Sequence, residues 1–386
     1  MNVPKLRFGE FEGEWQETTI GSIAEVTTGN KDTQNRVDDG TYPFFVRSQT
    51  VERINSFAYD GEAILTSGDG VGVGKNFHYI NGKFDFHQRV YCIYKFRLKI
   101  YGKFVYSYFS EKFNQRVMQL SAKNSVDSVR RTMVTEMPIN LPYYEEQQKI
   151  ADFLSAVDEK ITALTAQKTA LTQYKQGMMQ RIFTQTLRFK DDNGADYPDW
   201  KNVMFGDIAS FSKGKGISKA DISDGGKLEC IRYGELYTYY KETIKNVVSR
   251  TNQLPSALVL SEANDVIIPA SGETQLDIAT ASCVLKAGVA LGGDLNIIKS
   301  DVDGVFLAYY LNNAKKQSIA NLAQGISVVH LYASQLKTMD LDIPEKQEQQ
   351  KIAQFLTELD NKINAVDAQI QSAQQWKQGL LQQMFV

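Results

Sequence analysis

Along two stretches of this chain, apolar residues recur at alternating steps of four and three, with an occasional lysine in step. The first stretch runs Ile150, Leu154, Val157, Ile161, Leu164, Lys168, Leu171, Lys175, Met178, Ile182. The second runs Ile352, Leu356, Leu359, Ile363, Val366, Ile370, Ala373, Lys377, Leu380, Met384. That step marks a helix with one narrow apolar seam, held for more than four heptads. No proline follows Pro142 or Pro344 within either stretch, and the other faces carry Gln, Lys, Asp and Glu. Each stretch predicts a helix of about 40 residues, roughly 60 Å long. A narrow stripe needs a second helix to cover it, and a matching stripe exists in the same chain. This predicts an intramolecular two-helix coiled coil; the alternative is that each helix lies on its own neighbouring domain.

Between these stretches the pattern changes. Short apolar or alternating runs at Ala63–Ser67, Val90–Tyr94 and 265–270 predict strands, with Gly, Asn and Asp clusters between them. Asn81-Gly82 predicts a hairpin turn that would bring His78 and His87 close together. Amphipathic runs from Phe104 to Leu120 and from Phe306 to Leu322 each predict one helix closing a mixed α+β head.

The two halves also repeat in their letters. EQQKIADFL (Glu146 to Leu154) returns as EQQKIAQFL (Glu348 to Leu356), 202 positions on. At the same offset Asp158 matches Asp360, Lys175-Gln176-Gly177 matches Lys377-Gln378-Gly379, and Ser125-Val126 matches Ser327-Val328. Near the start of each half, Trp15, Gly21, Ile23, Ala24 and Gly29 match Trp200, Gly206, Ile208, Ala209 and Gly214, 185 positions on. A period this long is a duplicated domain and not a solenoid repeat. The expected plan is head (1–141), helix (142–185), head (186–342), helix (343–386), constant at the edges and divergent between them.

The chain has 386 residues, a formal net charge of −2 and 42% hydrophobic residues, enough for two globular cores. It has no apolar run of membrane-spanning length and no signal-like N-terminus, so a cytoplasmic location without membrane contact is expected. Cys92, Cys230 and Cys283 are far apart, which indicates neither a disulfide framework nor a zinc site. The near-neutral total hides a local imbalance. Residues 70–141 carry 12 Lys/Arg against 4 Asp/Glu, whereas residues 1–69 carry 6 against 12 and residues 186–341 carry 16 against 18.

Catalytic motifs are not found. SGDGVGVGKN (Ser67 to Asn76) has Asp69 where a phosphate loop needs glycine, and Asn76 where it needs Ser or Thr. The triplets Asp158-Glu159-Lys160 and Asp360-Asn361-Lys362 fall on the long helices, where i,i+4 surface pairing is expected. Two histidines without a further ligand make no metal site. What remains is the basic, aromatic-laced stretch from Lys75 to Lys103, with Arg130-Arg131 following. Lys and Arg there suit phosphate contacts, and Arg, Asn, Gln and Ser can read base edges. The second head carries only Lys213, Lys215 and Lys219 near its start and Gln324 and Ser327 near its end.

With its paired E-Q-Q-K-I-A-x-F-L phrases, the Lys-Gln-Gly that precedes Phe183 and Phe385, and the Trp-x(5)-Gly-x-Ile-Ala openings, the chain resembles the DNA-specificity subunits of type I restriction-modification systems. The resemblance spans nearly the whole chain. It implies two target-recognition domains on double-stranded DNA, joined by antiparallel helices with pseudo-two-fold duplication. It also implies docking of two modification subunits that supply S-adenosylmethionine chemistry, and of restriction subunits in the full complex, with neither cofactor nor catalysis in this chain. The candidate DNA contacts are Asn30, Lys31, Lys75, Asn76, Lys83, Arg89, Ser125, Arg130 and Arg131, with Lys213, Lys215, Lys219, Gln324 and Ser327 in the second head. A coiled-coil scaffold that never touches DNA is the competing expectation.

Overall fold

The computed structural model describes residues 2–120, 128–325 and 328–386. The chain divides into two compact units: Met1–Ala166 with Asp367–Val386, and Gln167–Val366. Two long helices, Tyr144–Phe183 and Lys346–Met384, each begin in one unit and end in the other.

In the first unit six strands form one sheet in the order Glu25–Thr28, Val90–Tyr94, Tyr59–Ser67, Phe77–Phe86, Tyr42–Phe45, Glu52–Ile54. Its central strands are covered on both faces. Ile64 and Ile93 pack toward Phe104, Phe109 and Phe113 of the helix Gly102–Leu120. Ala63, Leu65 and Cys92 face Phe45, Phe84 and Phe86 instead. This accounts for the unbroken apolar run at Ala63–Leu65, since strands covered on both sides lose the polar alternation.

The hairpin expected at Asn81-Gly82 is not there. Those residues lie inside the continuous strand Phe77–Phe86, paired with Tyr59–Ser67 so that Gly82 faces Gly61. Both glycines have positive φ (145° and 148°), a conformation that bends the strand pair without ending it and that side chains disfavour. His78 and His87 therefore have separate partners: His78 Nε2 meets the Ser48 carbonyl (3.0 Å), and His87 Nδ1 accepts the Arg89 N–H (2.9 Å).

The second unit has a five-stranded sheet, ordered Ala209–Lys213, Leu295–Ser300, Asp265–Pro269, Ser282–Val284, Thr243–Ile244. Beside it lies a four-stranded one, ordered Ser249–Thr251, Leu228–Ile231, Ala290–Leu291, Val259–Leu260. The single helix expected from Phe306 to Leu322 is two, Gly304–Asn313 and Lys316–Leu322. The break follows Asn312, whose amide clasps the Ala281 backbone (2.7 and 2.9 Å), and Asn313, whose amide donates to the Tyr309 carbonyl. Such side chains compete with helical hydrogen bonding.

The repeated helical phrase is explained by what its letters touch. Glu146 is fully buried and takes two hydrogen bonds from Arg7 (both 2.8 Å); Glu348 takes two from Arg188 (2.7 and 2.8 Å) and one from the Trp200 indole (3.2 Å). Gln147 accepts the Tyr101 N–H and donates to the Pro142 carbonyl; Gln349 does the same with Asp303 and Pro344. Each glutamine ties its long helix to the start of the head's closing helix. Phe153 stacks edge-on to Phe8 and Phe355 to Phe189.

Within each unit, the first half of one long helix lies beside the last turns of the other, so the pair is antiparallel. Ile150, Leu154 and Val157 share a core with Leu380, Met384 and Phe385, and Ile161 packs against its edge. Ile352, Leu356 and Leu359 share one with Met179 and Ile182. Leu164, Ile363 and Val366 are also buried. Each seam thus rests on its neighbouring head over its first turns and also meets the other helix. Of the triplets expected to pair along their own helix, the leading aspartate of each instead pairs across helices. Asp158 binds Lys377 (2.5 Å), and Asp360 binds Lys175 (2.7 Å) together with the Tyr309 hydroxyl.

Candidate nucleic-acid interface

In the first unit, backbone hydrogen bonds gather four loops onto one surface. The Gln88 N–H donates to the Lys31 carbonyl (2.8 Å), and the His87 N–H to Phe45 (2.9 Å). The Gly68 N–H donates to Arg89 (2.8 Å), and the Val129 N–H to Gly68 (2.7 Å). The loop after Gly29, the 87–89 turn, the glycine loop and the segment before the first long helix thereby meet. Gly29 is required there, because a Cβ would lie 1.9 Å from the Phe86 carbonyl oxygen.

Charge concentrates on this surface. Asp69 on the glycine loop binds Arg47 (2.8 Å) and faces Arg89 (3.7 Å). Burial, and next the Arg47 charge, hold His87 below its usual imidazole range. Asn30, Lys75, Arg89 and Arg130 are exposed around it, and Val71 stands out at the loop tip, 95% exposed.

The second unit builds the same frame from different residues. The Gly293 N–H donates to Gly216 (3.0 Å), and the Gly292 N–H to Ile231 (2.9 Å). The Ala270 N–H donates to Asp294 (2.8 Å), and the Leu331 N–H to Ala270 (3.0 Å). A Cβ on Gly214 would lie 1.9 Å from the Gly292 carbonyl oxygen, as at Gly29. This surface holds a cleft of 890 Å³ lined by Lys219, Arg232, Tyr233, Tyr237, Glu273 and Asp294, among others.

Of the residues nominated from sequence, Asn30, Lys31, Lys75, Arg89 and Arg130 fall on or beside the first frame. Asn76 is also there, but its amide is engaged by the Arg47 carbonyl (3.1 Å). Arg131 donates to the Val26 carbonyl, and Lys83 lies over the Phe57 ring (4.7 Å), which gives both internal work. In the second unit Lys215 is part of the frame through its N–H to Leu291 (2.9 Å), and Lys219 lines the cleft. Lys213 lies over the Tyr332 ring (5.9 Å), and the Gln324 backbone pairs with His330. Ser125 and Ser327 lie outside the described residues. Sequence reasoning missed Arg47, Asp294, Tyr233 and Tyr332. Arg47 sits in an acidic stretch where charge counting gave no signal. Tyr332 was within reach, because it matches Arg130 at the 202-residue offset.

Among the described residues no group of His, Cys, Asp and Glu is arranged to hold a metal, and no helix is long and apolar enough to cross a membrane.

The sequence profile of the type I restriction modification DNA specificity domain matches residues 12–173 and again 197–373. The chain is 26% identical over 204 residues to the EcoDI type I restriction enzyme specificity subunit of Escherichia coli, covering 51% of this chain and 45% of that protein. It is 28% identical over 264 residues to the putative MjaX specificity subunit of Methanocaldococcus jannaschii, covering 66% and 61%. The matched segments thus span about half to three fifths of these relatives. Among solved structures, the S subunit of a type I restriction-modification system from M. genitalium superposes with a TM-score of 0.67 at 17% identity, over 100% of this chain and 99% of that one.

Proposed function

Because the chain belongs to the type I restriction modification DNA specificity family, we propose that it is the non-catalytic subunit that reads DNA sequence for such a complex. Each head reads one half of a split site, and the antiparallel helices set the gap and dock two modification subunits. Those subunits bring S-adenosylmethionine and the methyl transfer; restriction subunits join them to cut.

One observation carries this reading. The same four-hydrogen-bond frame is built in both units, and its exposed side chains differ almost completely. A duplicated frame with unlike side chains suits two readers of unlike half-sites, so the site is not palindromic. A scaffold with no DNA contact gives no reason to diversify these surfaces while keeping the helical phrases.

Reconstituting the chain with its modification subunits and mapping methylated adenines tests the proposal. The expected product is an asymmetric, two-part motif. Replacing residues 1–141 with another family member's head should change one half of it and leave the other. Methylation without a two-part motif, or a swap that alters both halves, would refute the reading.

A further inference from the structure

We infer that Arg89 and Asp294 are equivalent base-reading positions, one in each head, and that Arg89 selects guanine in its half-site while Asp294 selects cytosine in the other. The inference rests on the function proposed above and adds residues and bases to it.

The hydrogen bonds establish the equivalence. Each residue directly follows the one whose N–H caps the loop after the matched glycine (Gly29 or Gly214), Gln88 to Lys31 and Gly293 to Gly216. Each also gives its own carbonyl to the next loop, at Gly68 and at Ala270. The backbone is therefore fixed on both sides of the position, and the side chain projects from a held turn. Both side chains are exposed. The Arg89 guanidinium is steadied by Asp69 at 3.7 Å; Asp294 has no side-chain hydrogen bond or ion pair among the described residues.

The change of sign is the informative feature. Phosphates are the same in every half-site and only accept hydrogen bonds, so a position that grips phosphate must keep a donor side chain in both heads. A position that is arginine in one head and aspartate in the other cannot serve that purpose. Base edges, by contrast, differ between half-sites, and their donors and acceptors call for different partners. The arginine fork offers only donors and matches the two acceptors of guanine, O6 and N7. An ionised carboxylate only accepts and matches the N4 amino group of cytosine. Adenine also offers an amino group, but its adjacent N7 acceptor repels a carboxylate.

Methylated-adenine mapping of the full complex decides the matter with Arg89→Ala, Arg89→Gln and Asp294→Asn. Arg89→Ala should relax one G·C position in one half-site by about 5- to 150-fold, the range for a good bidentate contact, and leave every other position alone. Arg89→Gln should move the preference at that position from guanine to adenine, a gain that misfolding cannot imitate. Asp294→Asn should relax one position, read as cytosine, in the other half-site. Uniform loss of methylation with an unchanged motif would overturn the inference, as would both variants acting in the same half. A wild-type complex without a two-part motif would overturn the proposed function as well.

Discussion

The Arg7–Glu146 and Arg188–Glu348 pairs show how single residues fasten a helix to a head. Both carboxylates are fully buried, and removing the arginine alone would leave an uncompensated charge. Arg7→Ala should therefore cost the first unit about 3 kcal/mol, measured by urea unfolding, and Arg7→Ala with Glu146→Met should recover most of it. An Arg7→Ala loss below about 1 kcal/mol would mean that the pair acts as a surface bridge. Glu348→Ala should cost more than Glu146→Ala, because it also strands the Trp200 indole, whereas the Trp15 indole has no partner among the described residues. The histidines set a pH dependence in the same unit. Burial lowers both His78 and His87, so the unfolded chain takes up protons first. Their contribution is complete above the unfolded value near 6.5 and is lost as pH falls from there through the folded values. The first unit should lose stability as pH falls below about 6.5, and His87→Asn should flatten that slope. An unchanged slope would assign the effect to other groups.

At the scale of elements, the long helices were almost fully legible in the sequence, down to the seam from Ile352 to Met384. Periodicity records helix packing directly, and repetition doubled the signal. The strands at Ala63, Val90 and Asp265 were legible for a similar reason, as apolar runs between turn residues. What failed depended on context absent from local pattern. Asn81-Gly82 has the composition of a turn, but Gly61, twenty positions earlier, makes it a bend in a paired strand. The proposed reading surface was half legible: lysines and arginines could be counted, yet the frame that gathers Arg89 and not Lys83 consists of long-range backbone hydrogen bonds. Gly177 and Gly379 remain as a test. Both sit inside long helices, and a Cβ on either would meet nothing within 4 Å among the described residues. Gly177→Ala and Gly379→Ala should each stabilise the isolated chain by about 1 kcal/mol. If these glycines are kept for close approach of a modification subunit, the same variants should weaken assembly measured by co-purification. Gain in stability with undiminished assembly would leave no role for them in docking.

For the whole molecule, the proposed spacing device makes a metric prediction. Four residues added at matched points of both helices lengthen each by about 6 Å, one to two base pairs of rise, and the mapped motif should keep its halves and widen its gap by that amount. A constant gap would show that the helices do not set it. The heads should also differ in their response to salt. Neutralising Lys75 or Arg130 in the first unit should each lower the slope of log affinity against log salt by about 0.9 if they contact phosphate. Equal slopes before and after would place them off the backbone.

One consequence follows from how the units are assembled from the chain. The second unit is a single continuous segment, but the first needs Leu380, Met384 and Phe385, more than two hundred residues beyond its last strand, to close its core. On the ribosome the head translated first would be the last to mature. At about 5–20 residues per second, its unfinished apolar face would wait ten seconds or more for the closing turn, exposed to chaperones in the meantime. A nonsense codon near position 370 should therefore leave the later-made domain folded and the earlier-made one open to protease.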